Sequence, residues 1–466
     1  MKIFRDPVYN IISFDEDKEQ YILDLINSKE MQRLRRIRQL GLSSFTYPGA
    51  EHSRFAHSLG TAFLMKRVIA RLCRVRDEQK KEWLQEVFDN YDLALCSALL
   101  HDIGHGPFSH ALEDITGVKH EAWATQIINS DKTEVHDILE KHREGFAKDV
   151  ADVIARIHPC EMVVKLLSSQ LDVDRFDYLL RDSLMTGAEY GRFDLEWIIN
   201  TMTIGAIRLL EDKPEIGLDL DKGLSVAEDF IMARYYMYKQ VYFHKTTRCV
   251  EIIANKILKR AKELIAAQEM DCPQHLDVLF LNKSEEKEKG PEDKENKEKR
   301  LLSYLKLDDN ILWYWFHQWA QSEDELLADL CDRILNRKLL KSIDVSEFGL
   351  STLLSHMEEL KKLAANHGNN YVHLIEIDDP STSSYKDPYI FKKSRIETDD
   401  IEKTEEQREA TEQLFLFDKQ KKNAFELAGK STIIDAVRHQ VIKSQRLYYP
   451  VELHNDVLKI FKLEEK

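Results

Sequence analysis

The chain has 466 residues, with 67 lysines and arginines against 82 aspartates and glutamates, so its formal net charge is −15. This acidity argues against nucleic acid or a membrane surface as a partner, because nonspecific binding to DNA depends on basic residues that displace counterions. The chain contains only 16 glycines and 10 prolines, and 43% of its residues are hydrophobic. This composition predicts a mostly α-helical protein with a sizeable core.

Helical periodicity of the apolar residues predicts helices over 20–40, 54–68, 93–100, 160–182, 224–268 and 301–365. Residues 206–220 predict a small β-hairpin that turns near Pro214. The segment YVHLIEI predicts a strand, and the last 45 residues predict a helix followed by strands. The expected fold is therefore mostly α, with a helical core, a small β-hairpin and a C-terminal α+β lobe.

The segment Lys283–Arg300 is strongly charged and contains no large apolar side chain. Such a segment cannot bury enough apolar surface to offset the entropy lost on ordering. It predicts a charged mobile loop over residues 281–300, between a domain of residues 1–280 and a C-terminal lobe of residues 301–466. The start of the chain lacks the apolar core of a signal peptide, no apolar run is long enough to span a membrane, and the six cysteines are scattered. These features predict a cytoplasmic location.

A buried apolar helix ends in the adjacent pair His101 and Asp102, with His57 upstream and Asp174 downstream. Buried histidine and aspartate side chains are unfavourable unless they are paired or bound to a metal. Two imidazoles and two carboxylates form a ligand set that suits one divalent transition metal, namely Fe, Mn, Ni, Co or Zn. A histidine–aspartate pair on its own is also compatible with a core histidine bonded to a backbone carbonyl.

Six longer motifs give a more specific indication. They are RDPVYN, QRLRRIRQLG, PGAEHSRFAHSLG, LLHDIGHGPFSHALE, DVDRFDYLLRD and YYMYKQVYFHK. Together they resemble the deoxynucleoside triphosphate (dNTP) triphosphohydrolases of the HD superfamily, over about residues 1–260. The resemblance implies that a dNTP is cleaved to a deoxynucleoside and triphosphate by one bound divalent metal, with Mg²⁺ accompanying the nucleotide. It also implies a nucleotide effector and a homotetramer, with residues 301–466 as a regulatory and oligomerisation lobe.

The resemblance also implies roles for individual residues. The metal ligands are His57, His101, Asp102 and Asp174, and the catalytic residues are His105, His110, Glu113 and His120. The phosphate contacts are Arg54, Arg175, Tyr178 and Arg234, and the sugar contacts are Gln39, Leu40, Asp182 and Tyr242. Tyr242 matches a tyrosine that crowds the 2′ position and disfavours ribonucleotides. The allosteric nucleotide contacts are Asn27, Gln32 and Arg35.

Two alternatives remain open at this point. The first is another HD-type enzyme, a nucleotide phosphatase or a cyclic-dinucleotide phosphodiesterase, in which His105, His110 and His120 hold a second metal. The second is a nucleotide sensor or single-stranded nucleic-acid binder, which would use the basic face of Arg33–Arg38. Metal content, dNTP turnover and salt-dependent oligonucleotide binding distinguish these readings.

Overall fold

The computed structural model describes residues 1–75, 80–109, 113–207, 213–273, 275–276, 280, 294–383, 413–418, 423–438 and 441–464. Its helices in the N-terminal part are α1 (Gln20–Asn27), α2 (Lys29–Arg33), α3 (Arg54–Leu72), α4 (Lys81–Asp89), α5 (Tyr91–Leu100), α6 (Glu113–Thr116), α7 (His120–Asn129), α8 (Glu134–His142), α9 (Phe146–Ile154), α10 (Glu161–Leu167), α11 (Val173–Thr186), α12 (Leu195–Thr201), α13 (Leu220–Met237) and α14 (Lys245–Ala266). The later helices are α15 (Lys294–Tyr304), α16 (Asp309–Trp319), α17 (Glu325–Leu335), α18 (Leu350–His367), α19 (Asn369–His373), α20 (Thr432–Val437) and α21 (His454–Phe461). The strands are β1 (Lys2–Asp6), β2 (Asn10–Phe14), β3 (Met202–Ile207), β4 (Lys213–Asp219), β5 (Lys341–Asp344), β6 (Glu376–Asp378), β7 (Ser381–Ser383), β8 (Phe415–Asp418), β9 (Asn423–Glu426), β10 (Val441–Lys443) and β11 (Arg446–Tyr449).

The predicted mostly α-helical fold is confirmed, and its centre is α5. Every residue from Leu93 to Leu100 is buried, and a helix that is apolar on all sides must be enclosed by others. It packs against α3 and α9, and α3 also packs against α11. The end of α5 therefore lies in the interior, where α3 and α11 also pass. None of the helices in the described part of the chain is long and apolar enough to cross a membrane.

The predicted hairpin is confirmed as β3 and β4, which pair antiparallel with Ile204 opposite Ile216, but the turn is not at Pro214, because Pro214 lies in β4 opposite Ala206. It is part of a larger sheet, because β8 pairs with β4 in parallel and β9 follows, in the order β3-β4-β8-β9. Close approach of β8 requires glycine on the hairpin. A Cβ at Gly205 would lie 2.3 Å from the ring of Phe417.

The loop predicted over 281–300 is wrong at its C-terminal end, because residues 294–304 form α15; residues 281–293 lie outside the described residues. Glu295 and Lys299 form an ion pair one helical turn apart, at 2.7 Å. Tyr304, at the end of α15, is buried and its ring stacks on Trp123 at 4.0 Å. Tertiary packing thus orders a segment whose composition alone predicts disorder.

The hydrophobic core does not divide at the predicted boundary. The buried residues of α16 and α17 join the same core as α3 and α5. A second core is built from residues 345–377 and 447–461, which form the C-terminal lobe.

One unpredicted element and two wrong predictions remain. The sequence did not indicate the N-terminal β1–β2 hairpin. In YVHLIEI the N-terminal part is helical, as α19, and the strand is limited to Glu376–Asp378. The last 45 residues do not run from helix to strands, because β11 is followed by α21, which packs on α18.

Candidate metal and phosphate site

Four predicted side chains from three parts of the fold bring their donor atoms together. His57 lies on α3, His101 and Asp102 follow α5 directly, and Asp174 lies in the first turn of α11. Nε2 of His57 is 3.2 Å from Nε2 of His101 and 3.0 Å from Oδ1 of Asp174. Nε2 of His101 is 3.5 Å from both Asp174 Oδ1 and Asp102 Oδ1. His57, His101 and Asp174 thus place one donor atom each within 4.8 Å of one another, and Asp102 lies beside them. The set of four ligands stays a prediction.

Both imidazoles are oriented from behind. Nδ1 of His57 lies 2.7 Å from Oδ2 of Asp177, and Nδ1 of His101 lies 2.9 Å from the carbonyl oxygen of Ala98. Carboxylate and carbonyl oxygens only accept, so each Nδ1 donates a hydrogen and each Nε2 faces the centre of the group, where its lone pair can bind a cation once that nitrogen carries no proton. Metal-binding histidines are typically oriented in this way. The donor set and its orientation thus fit a divalent cation.

Asp177 is held by further partners that the sequence analysis did not identify. Arg181 donates to it from Nε at 2.8 Å and from Nη2 at 2.9 Å, and the hydroxyl of Tyr9 donates at 2.8 Å. Arg181 also pairs with Asp6 at 2.7 Å. A signal was present in the motif DVDRFDYLLRD, because positions 174, 177 and 181 share one face of a helix.

Charge in this group favours a cation. Burial alone lowers the pKa of His57, but hydrogen bonds to Asp174 and Asp177 outweigh burial and raise that pKa to about 10. Burial alone raises the pKa of Asp174, yet its contacts with His101 and His57 hold it below its ordinary value. The pKa of Asp177 falls to about 2, because Arg181 and His57 outweigh its burial. The carboxylates therefore stabilise positive charge at the centre of the group.

Beside this group, His105 and His120 form a second pair of imidazoles. Their rings stack at 3.8 Å, and Nε2 of His105 lies 3.3 Å from Oδ1 of Asp102. Nδ1 of His120 donates to Oε1 of Glu113 at 2.5 Å. Burial, with Arg54 and His120 nearby, lowers the pKa of His105. Predicted catalytic residue His110 lies outside the described residues.

A cavity of about 430 Å³ opens beside His105 and His120 and is also lined by Asp102 and Asp174. Eleven of the predicted site residues line it: Gln39, Leu40, Arg54, Asp102, His105, His120, Asp174, Arg175, Tyr178, Asp182 and Tyr242. Lining residues that the sequence analysis did not select include Ser109, Arg156, Ser168, Tyr238 and Arg248. A polar cavity beside a metal-binding set is the arrangement expected of a hydrolase that acts on phosphate esters.

Arg54 connects the predicted metal ligand Asp102 to the cavity. It is buried, and its Nη1 donates to Oδ2 of Asp102 at 2.5 Å, while its Nη2 donates to the hydroxyl of Ser109 at 2.8 Å. Arg175 pairs with Asp172 and also donates to the carbonyl oxygen of Ser169. Both guanidinium groups are thus held in fixed orientations, which suits recognition of phosphate oxygens.

Arg234 does not line this cavity, although the sequence predicted it as a phosphate contact. It is fully buried on α13, and its Nη1 donates to Oε1 of Gln170 at 3.0 Å. Its contact with the chain around Gln170 supports the residues that precede α11.

The predicted sugar contacts lie around Asp182. Tyr242 donates its hydroxyl to Oδ2 of Asp182 at 2.9 Å, and Nε2 of His52 lies 2.7 Å from Oδ1. Gln39 lies next to His52, because its backbone N–H donates to the carbonyl oxygen of His52 at 2.9 Å. Its side-chain Oε1 is buried without a hydrogen-bond partner in the described part of the chain. His52 was missed, because nothing in its local sequence indicates a contact with Asp182.

The predicted allosteric residues lie at the surface near α2. Asn27 is exposed, Gln32 donates from Nε2 to the carbonyl oxygen of Ile26 at 2.7 Å, and Arg35 donates to Gln32 at 2.8 Å.

The other arginines of the predicted basic face have partners within the chain, although only Arg33 is buried and Arg36 is exposed. Their partners are the carbonyl oxygen of Leu307 for Arg33, Asp308 for Arg36 and Glu51 for Arg38.

Comparison with known proteins agrees with this geometry. Residues 54–182 match the family model described as HD domain, and residues 194–280 match the model described as HD associated region. The chain is 38% identical to the Bacillus subtilis protein YwfO over 460 residues. The match covers 98% of this chain and 94% of that protein.

Two further comparisons relate the chain to proteins with a stated activity. It is 27% identical over 307 residues to a Dictyostelium discoideum protein named deoxynucleoside triphosphate triphosphohydrolase SAMHD1 homolog, covering 61% of this chain and 53% of that protein. A crystal structure named phosphohydrolase from Bacteroides thetaiotaomicron has a TM-score of 0.73 and 27% identity, and the match covers 96% of this chain and 99% of that one.

Proposed function

The chain belongs to the HD-domain family, and from this premise we propose that it is a metal-dependent dNTP triphosphohydrolase. The observation that carries the proposal is the convergence of the metal-binding set, the Glu113–His120 pair and fixed arginines on one cavity. The family supplies the phosphohydrolase activity, and the SAMHD1-named relatives support the choice of substrate.

His57, His101, Asp102 and Asp174 would hold one divalent transition metal. The cation supplies a Lewis acid beside the α-phosphate of the substrate. Asp177 and the carbonyl of Ala98 keep the two imidazoles in the tautomer that this binding requires. Arg54 bonds Asp102 from the side of the cavity, so it is placed to contact a phosphate oxygen next to the metal-binding set.

The Glu113–His120 pair would move the proton in the reaction. Water attacks the α-phosphorus, the bond from phosphorus to the 5′-oxygen breaks, and the leaving oxygen gains a proton. His120 is suited to donate that proton, because Glu113 accepts from its Nδ1 and holds the ring in a fixed orientation. His105 stays neutral, since its pKa is lowered, and it supports the ring of His120 by stacking. We also assign His110 to this catalytic group.

The remaining contacts would select a deoxyribonucleotide. Asp182 and Gln39 bind the 3′-hydroxyl, Leu40 packs on the sugar, and Tyr242 occupies the space that a 2′-hydroxyl needs. The buried Oε1 of Gln39 supports this assignment, because a buried acceptor without a partner is unfavourable until a ligand donates to it. Arg175 and Tyr178 contact the phosphates, and Arg234 acts from behind the cavity wall.

We further propose that Asn27, Gln32 and Arg35 bind a nucleotide effector at the surface, with assembly into a homotetramer. Arg35 is exposed and its guanidinium lies 3.6 Å from the centre of the Phe55 ring, so it is prepositioned for a planar ligand. Activity that appears only in mixtures of dNTPs, together with a concentration-dependent change in mass, tests this part.

The direct test is incubation of each dNTP with Mn²⁺, Fe²⁺, Ni²⁺, Co²⁺ or Zn²⁺, followed by chromatography of the products. We expect deoxynucleoside and triphosphate in equal amounts. His101→Ala should abolish turnover, whereas Asp149→Ala, at a partly exposed carboxylate on α9, should not change it. Release of only orthophosphate or pyrophosphate would show that a different bond is cleaved.

One observation favours a second candidate, an HD-type nucleotide phosphatase or cyclic-dinucleotide phosphodiesterase with two metals. Asp102, His105 and His120 also place one donor atom each within 4.8 Å of one another. Metal analysis distinguishes the two candidates. Two bound metals per chain without dNTP turnover would favour the second, and one metal with turnover would favour the first.

A further inference from the structure

Four arginines line the cavity, and three of them are neutralised by carboxylates of the chain. The pairs are Arg54 with Asp102, Arg175 with Asp172, and Arg248 with Asp378. The fourth is Arg156, whose side chain forms no ion pair or hydrogen bond with any residue that the structure describes. Among the described arginines that line the cavity, Arg156 is therefore the one whose charge is not offset by a carboxylate.

The backbone at Arg156 is that of a helix end which usually carries glycine. Arg156 follows α9 with a left-handed φ of +64°, and the N–H of Ile157 donates to the carbonyl oxygen of Asp152 at 2.9 Å. Glycine adopts this conformation without the steric penalty that any side chain brings. The turn itself therefore does not require arginine. The role of the Arg156 side chain depends instead on the groups around it.

Arg156 lines the cavity that the proposed function assigns to the phosphates. It lines the same cavity as His120, Ser168 and Arg175. A triphosphate carries several negative charges, and the paired arginines offset them only in part because their own carboxylates remain close. An unpaired guanidinium at this wall is suited to bind the phosphates that lie furthest from the sugar.

We propose that Arg156 binds the terminal phosphates of a nucleoside triphosphate and makes the site selective for triphosphates over shorter phosphate chains. This inference rests on the proposed function, because it concerns the same cavity. It assigns a binding role to a residue that the motif resemblance does not include.

The test is binding of inorganic triphosphate and of pyrophosphate, measured by calorimetry on the full chain in one divalent-metal buffer. Loss of a charge-assisted hydrogen bond typically weakens binding by about tenfold to a hundredfold. Arg156→Gly should weaken triphosphate binding by this factor and remove most of the preference over pyrophosphate. It should not lower the melting temperature, because glycine relieves the left-handed backbone.

The chain offers a matched control at the end of α14. Gln268 also follows an alanine at the helix end and has a φ of +59°. The backbone N–H of the next residue, Glu269, donates to the carbonyl oxygen of Leu264 at 2.9 Å. Its side chain is exposed and does not line the cavity. Gln268→Gly should relieve the backbone in the same way and leave triphosphate binding unchanged.

The outcomes separate this inference from the proposed function. Equal triphosphate affinity in wild type and Arg156→Gly, or an equal loss in both glycine variants, would overturn the role of Arg156. Absence of triphosphate binding in the wild type would overturn it as well. Loss of affinity in Arg156→Gly alone supports it, even if the wild type hydrolyses no dNTP, in which case the proposed reaction is the part that fails.

Discussion

His57 and Asp177 form a buried pair in which Nδ1 of the imidazole lies 2.7 Å from a carboxylate oxygen, and neither side chain has appreciable contact with solvent. This pair decides which ring nitrogen of His57 faces Asp174 and His101. The carboxylate is in turn held by Arg181 and Tyr9, so the orientation of one metal-binding residue depends on a network that reaches the N-terminal hairpin.

Asp177→Asn should weaken metal binding by about tenfold to a hundredfold, because the amide no longer fixes the tautomer of His57 as a carboxylate does. Metal content after dialysis against a graded series of Mn²⁺ concentrations measures the effect. Asp149→Asn is the control, since that carboxylate pairs only with exposed Arg143 in the described structure. Unchanged metal affinity in Asp177→Asn would show that the network does not orient the ligand.

Gly60→Ala should disturb the contact between Asp177 and Arg181 on α11, because Gly60 lies on the neighbouring helix α3. A Cβ at Gly60 would lie 1.8 Å from Oδ1 of Asp177 and 2.5 Å from Nη2 of Arg181, so α3 and α11 would have to separate. Overpacking of this kind typically lowers the free energy of unfolding by about 1–3 kcal/mol. Thermal and urea unfolding measure it, with Gly349→Ala as the control, because no atom lies within 4 Å of the Cβ there. Equal stability of both variants would contradict the close approach.

Tyr242→Ala should admit ribonucleotides. The ring of Tyr242 lines the cavity and its hydroxyl donates to Asp182, so removing it opens space beside the proposed sugar position. We expect the ratio of kcat/KM for a ribonucleotide to that for its deoxyribonucleotide to rise at least about tenfold. Tyr242→Phe keeps the ring and should keep the selectivity. A ratio that stays the same in the alanine variant would remove Tyr242 from sugar recognition.

Asp309 should make stability depend on pH. Its carboxylate accepts the backbone N–H of Phe108 and that of Arg38, and burial raises its pKa to about 6. Because the folded pKa lies above the ordinary value, the folded state binds the proton more tightly, and this contribution to stability falls as pH rises from about 4 to 6. The total is at most about 3 kcal/mol.

Urea unfolding of wild type and Asp309→Asn at a series of pH values tests this. The difference between their unfolding free energies should change across that pH range and be constant above it. A difference that does not vary with pH would mean that Asp309 keeps its ordinary pKa.

The part of the site that is local in sequence could be predicted, and the part built by distant segments could not. The four predicted metal ligands lie in motifs of recognisable spacing, and three of them, His57, His101 and Asp174, place their donor atoms within 4.8 Å of one another. Asp177 and Arg181 share a helix face with Asp174, so helical spacing offered a signal that was not used. His52 and Asp309 offered none, because their partners Asp182 and Phe108 are remote in the chain.

The same distinction applies to the fold. The β3–β4 hairpin follows from alternation in one short segment, whereas its pairing with β8 depends on a strand about two hundred residues later. Helix α15 was missed because its composition is highly charged, and its order comes from Tyr304 packing on Trp123.

Hydrolysis in ¹⁸O-labelled water, followed by mass spectrometry of both products, tests the central claim most directly. Attack of water on the α-phosphorus places the label in triphosphate and leaves the deoxynucleoside unlabelled. We predict that result for each dNTP that is turned over. Label in the deoxynucleoside, or label in released orthophosphate or pyrophosphate, would contradict the proposed reaction.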